Sequence, residues 1–260
     1  MSNREAIHEF FTEGADDYSS LFTSQKTGAN HGFRERLALA NDLTSKTNGA
    51  LLDCACGSGE ITASLLATGR YDTAEIVDLS SRMLKLAGGN ITSATSGLDF
   101  IPEIHYTNSD IFGHLEMLRE RRFDLILCLG LIAHTGKLDV LLSKLRPLLN
   151  PQGAILLQST VLNRAFSRIT RAATAKRYLR NHGYSITYYT EDNIRDTAAS
   201  AGLTISSQEN FSLGLPFGDR ICPPLNYFLE SKCQNWSKRH GTEALFLLEP
   251  ADSASFPNLS

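Results

Sequence analysis

The 260-residue chain predicts an α/β fold with a largely parallel sheet flanked by helices. Three observations carry that expectation. Short apolar runs alternate with longer amphipathic stretches, the pattern of parallel strands joined by crossover helices. One run, Ala50-Leu51-Leu52, enters the small-residue stretch Asp53-Cys54-Ala55-Cys56-Gly57-Ser58-Gly59 and continues as Glu60-Ile61-Thr62-Ala63-Ser64-Leu65-Leu66, which reads as strand, tight turn and helix start. Twenty-five residues after Asp53, a second run, Ala74-Glu75-Ile76-Val77, ends in another acid, Asp78.

In chain order, residues 4–22 carry Ile7, Phe10, Phe11, Tyr18, Leu21 and Phe22, which predicts an amphipathic helix or helix pair broken near Gly14. A second helix covers about 32–46, and strands follow at about 50–54, 74–78, 102–107, 123–129 and 153–159. The helix over 137–149 stops at the turn Asn150-Pro151-Gln152-Gly153. Residues 161–190 interrupt the alternation, which resumes with a helix capped by Thr190, begun by Glu191 and ended by Gly202. Two last strands, 203–212 and 243–249, flank a long segment containing Pro223, Pro224, Tyr227 and Trp236. The tail 251–260 has little to pack and is expected to fray.

The turn after the first strand favours a ligand shaped like a nucleoside, because Ala55, Gly57 and Gly59 leave backbone accessible. An acid at the end of the next strand suits a ribose, whose two hydroxyls a carboxylate can accept; the plainer role for Asp78 is a helix cap ahead of Ser80. A nicotinamide-binding turn would carry a small residue where this chain has Thr62, and its pyrophosphate would be repelled by Asp53. A cationic ligand tolerates that acid.

These residues resemble the first motif of class I S-adenosylmethionine-dependent methyltransferases, with Ala55 where the family usually has glycine. The resemblance implies a Rossmann-like, seven-stranded, mostly parallel sheet closed by an antiparallel pair, with S-adenosylmethionine as cofactor. It implies an N-terminal helical lid over 1–46, a cofactor-binding core over 47–160, a substrate-lid insertion after the fifth strand over 161–190, and the rest of the sheet over 191–250. By the same resemblance, Asp53, Ala55, Gly57, Ser58 and Gly59 form the cofactor turn. Asp78 takes the ribose and Leu79 and Met83 flank the adenine. Asp110 and Ile111 form the adenine-side third motif in Asn108-Ser109-Asp110-Ile111, and Leu129 ends the fourth strand. Tyr18 matches the lid tyrosine that covers the methionine end of the cofactor, or belongs simply to the apolar stripe of its helix.

The stretch Phe123-Asp124-Leu125-Ile126-Leu127-Cys128-Leu129-Gly130-Leu131-Ile132-Ala133-His134 lacks both the Pro-Pro-aromatic motif of adenine and glutamine N-methylating enzymes and the Pro-Cys of RNA cytosine C5 enzymes. It is similar to the ubiquinone-type small-molecule enzymes, which place a histidine near this point. That makes His134 the candidate base or a packing neighbour of the cofactor. His31 is a second candidate, in the loop ahead of a helix. Arg168, Arg171 and Arg177 belong to a basic insertion without an acid from Val161 to Thr190, either a solvated face or a lid for an anionic acceptor.

A net charge of −3, from 25 basic and 28 acidic residues, gives no general attraction to nucleic acid or to an anionic membrane. No apolar run approaches the ~20 residues that span a bilayer, and the first residues lack a signal-peptide pattern, so the cytoplasm is the expected compartment. Cys54-Ala55-Cys56 has no second ligand pair, so buried free thiols are expected rather than a metal. The function expected is methyl transfer to an oxygen or nitrogen of a small, possibly anionic, molecule. The alternatives are a nucleic-acid or protein acceptor docked on the basic insertion, and a cofactor-binding protein with another activity.

Overall fold

The computed structural model describes residues 3–15, 27–162, 179–214 and 218–251. Helices α1 (Asn3–Glu13) and α2 (Gly28–Leu43) precede the sheet. Helix α2 starts earlier than periodicity suggested, because the Thr27 hydroxyl accepts the Asn30 N–H and caps it. The chain then alternates through β1 (Gly49–Asp53), α3 (Glu60–Leu66), β2 (Tyr71–Asp78), α4 (Ser81–Thr95), β3 (Glu103–Asn108), α5 (Ile111–Met117) and β4 (Phe123–Cys128). Next come α6 (Leu131–Thr135), α7 (Leu138–Leu145) and β5 (Leu149–Thr160). Beyond the insertion lie α8 (Glu191–Ser200), β6 (Leu203–Phe211), α9 (Gly218–Ile221), α10 (Pro223–Lys232), α11 (Gln234–His240) and β7 (Glu243–Pro250).

The seven strands lie in the order β3-β2-β1-β4-β5-β7-β6, with β7 antiparallel to both its neighbours and the other pairs parallel. Both faces are covered. Leu52, Ile126, Leu157 and Phe246 point to one core with α6, α7 and α8, while Leu51, Leu125, Leu156 and Leu245 point to the other with α2, α3 and α4. Burial on both faces is why these strands read as continuous apolar runs instead of alternating ones.

One expectation is corrected here. Helix α7 ends at Leu145, and the predicted turn 150–153 lies inside the long strand β5. Pro151 is accommodated because the pairing with β4 shifts register between Phe123 and Leu125. Among the described residues, three helices occupy the long segment between β6 and β7, and Pro223 and Pro224 open α10, since the first helical turn needs no intrahelical N–H partner. The ends of the insertion are joined by a parallel bridge between Val161 and Tyr189, and residues 163–178 lie outside the described part. Among the described residues, no helix is long and apolar enough to cross a membrane.

Leu52 is fully buried in β1 beneath the small-residue turn. Its replacement by alanine should cost about 2–5 kcal/mol, from lost burial and the cavity left behind. Urea unfolding that shifts in midpoint with unchanged slope would show this; a change under about 0.5 kcal/mol would contradict the core assignment.

Candidate active site

The order of the sheet places a crevice where chain direction switches, between β1 and its two neighbours β2 and β4. The turn after β1 is pinned to both: Cys54 N–H donates to the Leu127 carbonyl at 3.0 Å and Cys56 N–H to the Val77 carbonyl at 3.1 Å. Gly57 and Gly59 adopt φ of 53° and 76°, which disfavours side chains. Their roles differ. Gly57 lines the crevice, whereas a Cβ on Gly59 would stand 2.7 Å from that of Ala87, so Gly59 serves the contact between α3 and α4.

Asp78 ends β2 with one carboxylate oxygen accepting the Gly57 N–H at 2.9 Å and the other the Ser80 N–H at 2.8 Å. Burial raises its pKa against these hydrogen bonds. The Asn108 side-chain amide donates to the Asp78 and Leu79 carbonyls, and Ser109 N–H to the Asp78 carbonyl, so the third motif is tied to the second. Asp110 caps α5 by accepting the N–H groups of Phe112 and Gly113, and Arg4 of α1 approaches it at 3.5 Å.

Asp53 is 4% exposed and accepts the Thr62 hydroxyl. Desolvation by burial dominates and pushes its pKa up to about 7. Thus Thr62, the residue that argues against a dinucleotide turn, satisfies the buried acid at the foot of the turn after β1.

A cleft of about 580 Å³ opens over these groups, within the range of about 300–1,000 Å³ typical of ligand sites. Ala55, Gly57, Asp78, Leu79, Asp110, Ile111, Leu129 and His134 of the expected set line it. Asp53 and Ser58 line a smaller adjoining cavity with Arg36 and Glu60. Met83 is fully buried beneath α4 and reaches neither cavity. His31 lines neither cavity; it sits in the first turns of α2 beside Glu35. Tyr18, Arg168, Arg171 and Arg177 lie outside the described residues.

Sequence reasoning passed over the opposite wall. Phe11 stands edge-on to the His134 ring at 4.9 Å, and the Tyr184 hydroxyl lies 3.3 Å from His134 Nδ1. Ile7, Phe112, Leu131, Arg4 and Lys137 also line the cleft. Phe11 was legible only as one member of an apolar stripe, and Tyr184 follows Gly183 in a segment without periodicity. Burial lowers the His134 pKa to about 4, so the ring is neutral near pH 7.

Comparison with known proteins decides the family. The methyltransferase-domain family matches residues 25–208. The chain belongs to this methyltransferase-domain family. No curated protein matches this methyltransferase by sequence. Its fold is shared with magnesium protoporphyrin IX methyltransferase from Synechocystis PCC 6803, solved with bound S-adenosylhomocysteine, at 14% identity and a TM-score of 0.62 over 96% of this chain and 100% of that one. A mycolic acid cyclopropane synthase, also solved with S-adenosylhomocysteine, aligns at 16% identity and a TM-score of 0.63 over 94% and 96%. The chain in complex with the Haloferax volcanii Trm112 methyltransferase activator aligns at 13% identity and 0.59 over 93% and 97%.

The buried Asp53 has a consequence for stability. Its folded pKa of about 7 exceeds the ordinary value of 3.8, so the folded state holds a proton that the unfolded state releases. Its contribution to stability is therefore fullest at low pH and is lost as pH rises through about 4 to 7, by a few kcal/mol at roughly 1.4 kcal/mol per pH unit. Urea unfolding across this window should show a decline in the wild type that Asp53→Asn lacks; parallel profiles for the two proteins would refute the assignment.

Proposed function

We propose that the cleft binds S-adenosylmethionine and that the enzyme methylates an oxygen or nitrogen atom of a small-molecule acceptor in the cytoplasm. The observation that carries this reading is the Asp78 carboxylate in the cleft, held by two backbone N–H groups that leave each oxygen a lone pair for one ribose hydroxyl. Leu79 and Ile111 offer apolar surface for the adenine, with Asp110 beside its amino group. The adjoining cavity with Asp53 and Ser58 suits the charged methionine end, over which the lid with Tyr18 would fold. Gly59 and Met83 support the turn and α4 instead of touching the cofactor.

A bound sulfonium supplies the methyl group and a good leaving group. The protein then has to position the acceptor, exclude water and take up a proton. We assign the proton to His134. Its neutral ring is ready to accept one, provided Nδ1–H donates to the Tyr184 oxygen and Nε2 keeps its lone pair. Phe11, Ile7, Phe112 and Leu131 give the acceptor side an apolar wall, and Arg4 and Lys137 favour an anionic group on it. Arg168, Arg171 and Arg177 would add to that preference from the insertion. A cleft of this volume favours a small molecule over a nucleic acid or protein acceptor.

Incubation with methyl-labelled cofactor and fractionated extract, followed by mass analysis, should reveal a labelled small molecule; label recovered only in RNA or protein would overturn the acceptor class. Asp78→Ala should weaken cofactor binding about a hundredfold in calorimetry, because two charge-assisted hydrogen bonds are worth roughly 3 kcal/mol. Near-normal affinity would return Asp78 to a capping role. His134→Ala should lower kcat by about 10² to 10⁴ with cofactor affinity retained, and the acid limb of the wild-type profile should fall near pH 4. Loss of binding in step with activity would make His134 a structural neighbour.

A further inference from the structure

Helix α10 is turned inside out for its composition. Its buried residues are Asn226 and Glu230, while Leu225 and Phe228 are 53% and 54% exposed. The inward polar face meets α2, where Asn226 Nδ2 donates to Asp219 at 2.7 Å and Asp219 accepts the N–H groups of Gly28 and Ala29. Glu230 faces His31 and Glu35, which lie four residues apart and so share one face of α2. One ligand atom from each of the three residues, a ring nitrogen of His31 and one oxygen from each carboxylate, all fall within 4.8 Å of one another.

Two features of this cluster lack an explanation within the protein. Glu35 and Glu230 approach each other below the surface, yet among the described residues no lysine or arginine pairs with either. In addition, the His31 ring, in a residue 8% exposed, keeps Nδ1 buried without a hydrogen bond, 3.4 Å from Glu35 Oε2. A buried ring nitrogen left without a partner is costly. An imidazole nitrogen and two carboxylates converging on one point satisfy one another if a cation stands between them.

The surroundings hold the carboxylates in place. Ser212, with φ of 52°, is the one non-glycine residue with positive φ among those described. Its N–H approaches Glu35 at 3.4 Å, and the N–H groups of Leu213 and Gly214 donate to Glu230 at 2.8 and 3.1 Å. Such outer hydrogen bonds orient metal ligands and leave their second lone pairs available.

We propose that His31, Glu35 and Glu230 bind one divalent cation of the zinc type, which clasps α2, α10 and the turn after β6. One nitrogen and two carboxylate oxygens match the ligands zinc accepts, whereas magnesium and calcium prefer all-oxygen sites. Glu243 pairs with both Phe211 and Thr160, so the end of β6 lies on the rim where β5 ends. The clasp therefore fastens the far half of the rim that carries the cofactor cleft without entering the cleft itself.

The test uses the full chain, stripped with a chelator and dialysed against Zn²⁺ or Mg²⁺, with metal content by mass spectrometry and melting by calorimetry. One zinc per chain is expected, with Tm raised by about 5–10 °C at free zinc a hundredfold above Kd, and no uptake of magnesium. His31→Gln and Glu230→Gln should each lose the zinc, while Cys222→Ser and Cys233→Ser keep it. Co²⁺ bound to the wild type gives a readout independent of the folding of any variant: visible d–d bands without thiolate charge transfer are expected. Absence of zinc from the wild type, equal uptake by folded ligand variants, or a thiolate band would overturn the proposal.

Discussion

The short link between the turn after β1 and the end of β2 governs the site. Gly57, in a left-handed conformation, donates its N–H to Asp78, and the parallel pairing of β1 with β2, in register at Asp53 and Ile76, brings the two segments together. Ser80 completes the arrangement by donating to the same carboxylate and capping α4. The third motif then attaches itself to the backbone of the second through Asn108 and Ser109. A buried carboxylate is thus kept from moving by amides from the turns that follow two separate strands, so that the wall of the cleft is built before any ligand arrives.

Burial sets the chemistry of two further groups in opposite directions. Asp53 is pushed toward its neutral acid form and His134 toward its neutral imidazole, in both cases chiefly by loss of solvent. A cationic ligand entering beside Asp53 would favour the ionised carboxylate there and couple binding to release of a proton.

Much of this was legible in the sequence because the local signals are short in range. The strand, small-residue turn and helix at 49–66, and the acid that ends β2, depend on residues close together in the chain. The capping of α8 by Thr190 was equally plain, and both halves of its capping box are present. What escaped was long-range or built against composition. Pro151 reads as a turn, yet it lies within β5, in the irregular stretch between the pairings of Leu149 and Ala154 with β4. Met83 follows the acid of β2 at the right distance to flank an adenine, but α4 rotates it into the core. Tyr184 reaches His134 from a segment with no periodicity, and α10 buries Asn226 and Glu230 while exposing Leu225 and Phe228, which reverses the usual inference from pattern to face.

The central claim is that the crevice between β1, β2 and β4 holds the adenosyl cofactor with its ribose on Asp78. A crystal structure of the protein with S-adenosylhomocysteine tests it most directly. The account predicts ligand density over the Gly57 turn, with both ribose hydroxyls within hydrogen-bonding distance of the Asp78 carboxylate. Density elsewhere, or a ribose turned away from Asp78 in the same cleft, would contradict it.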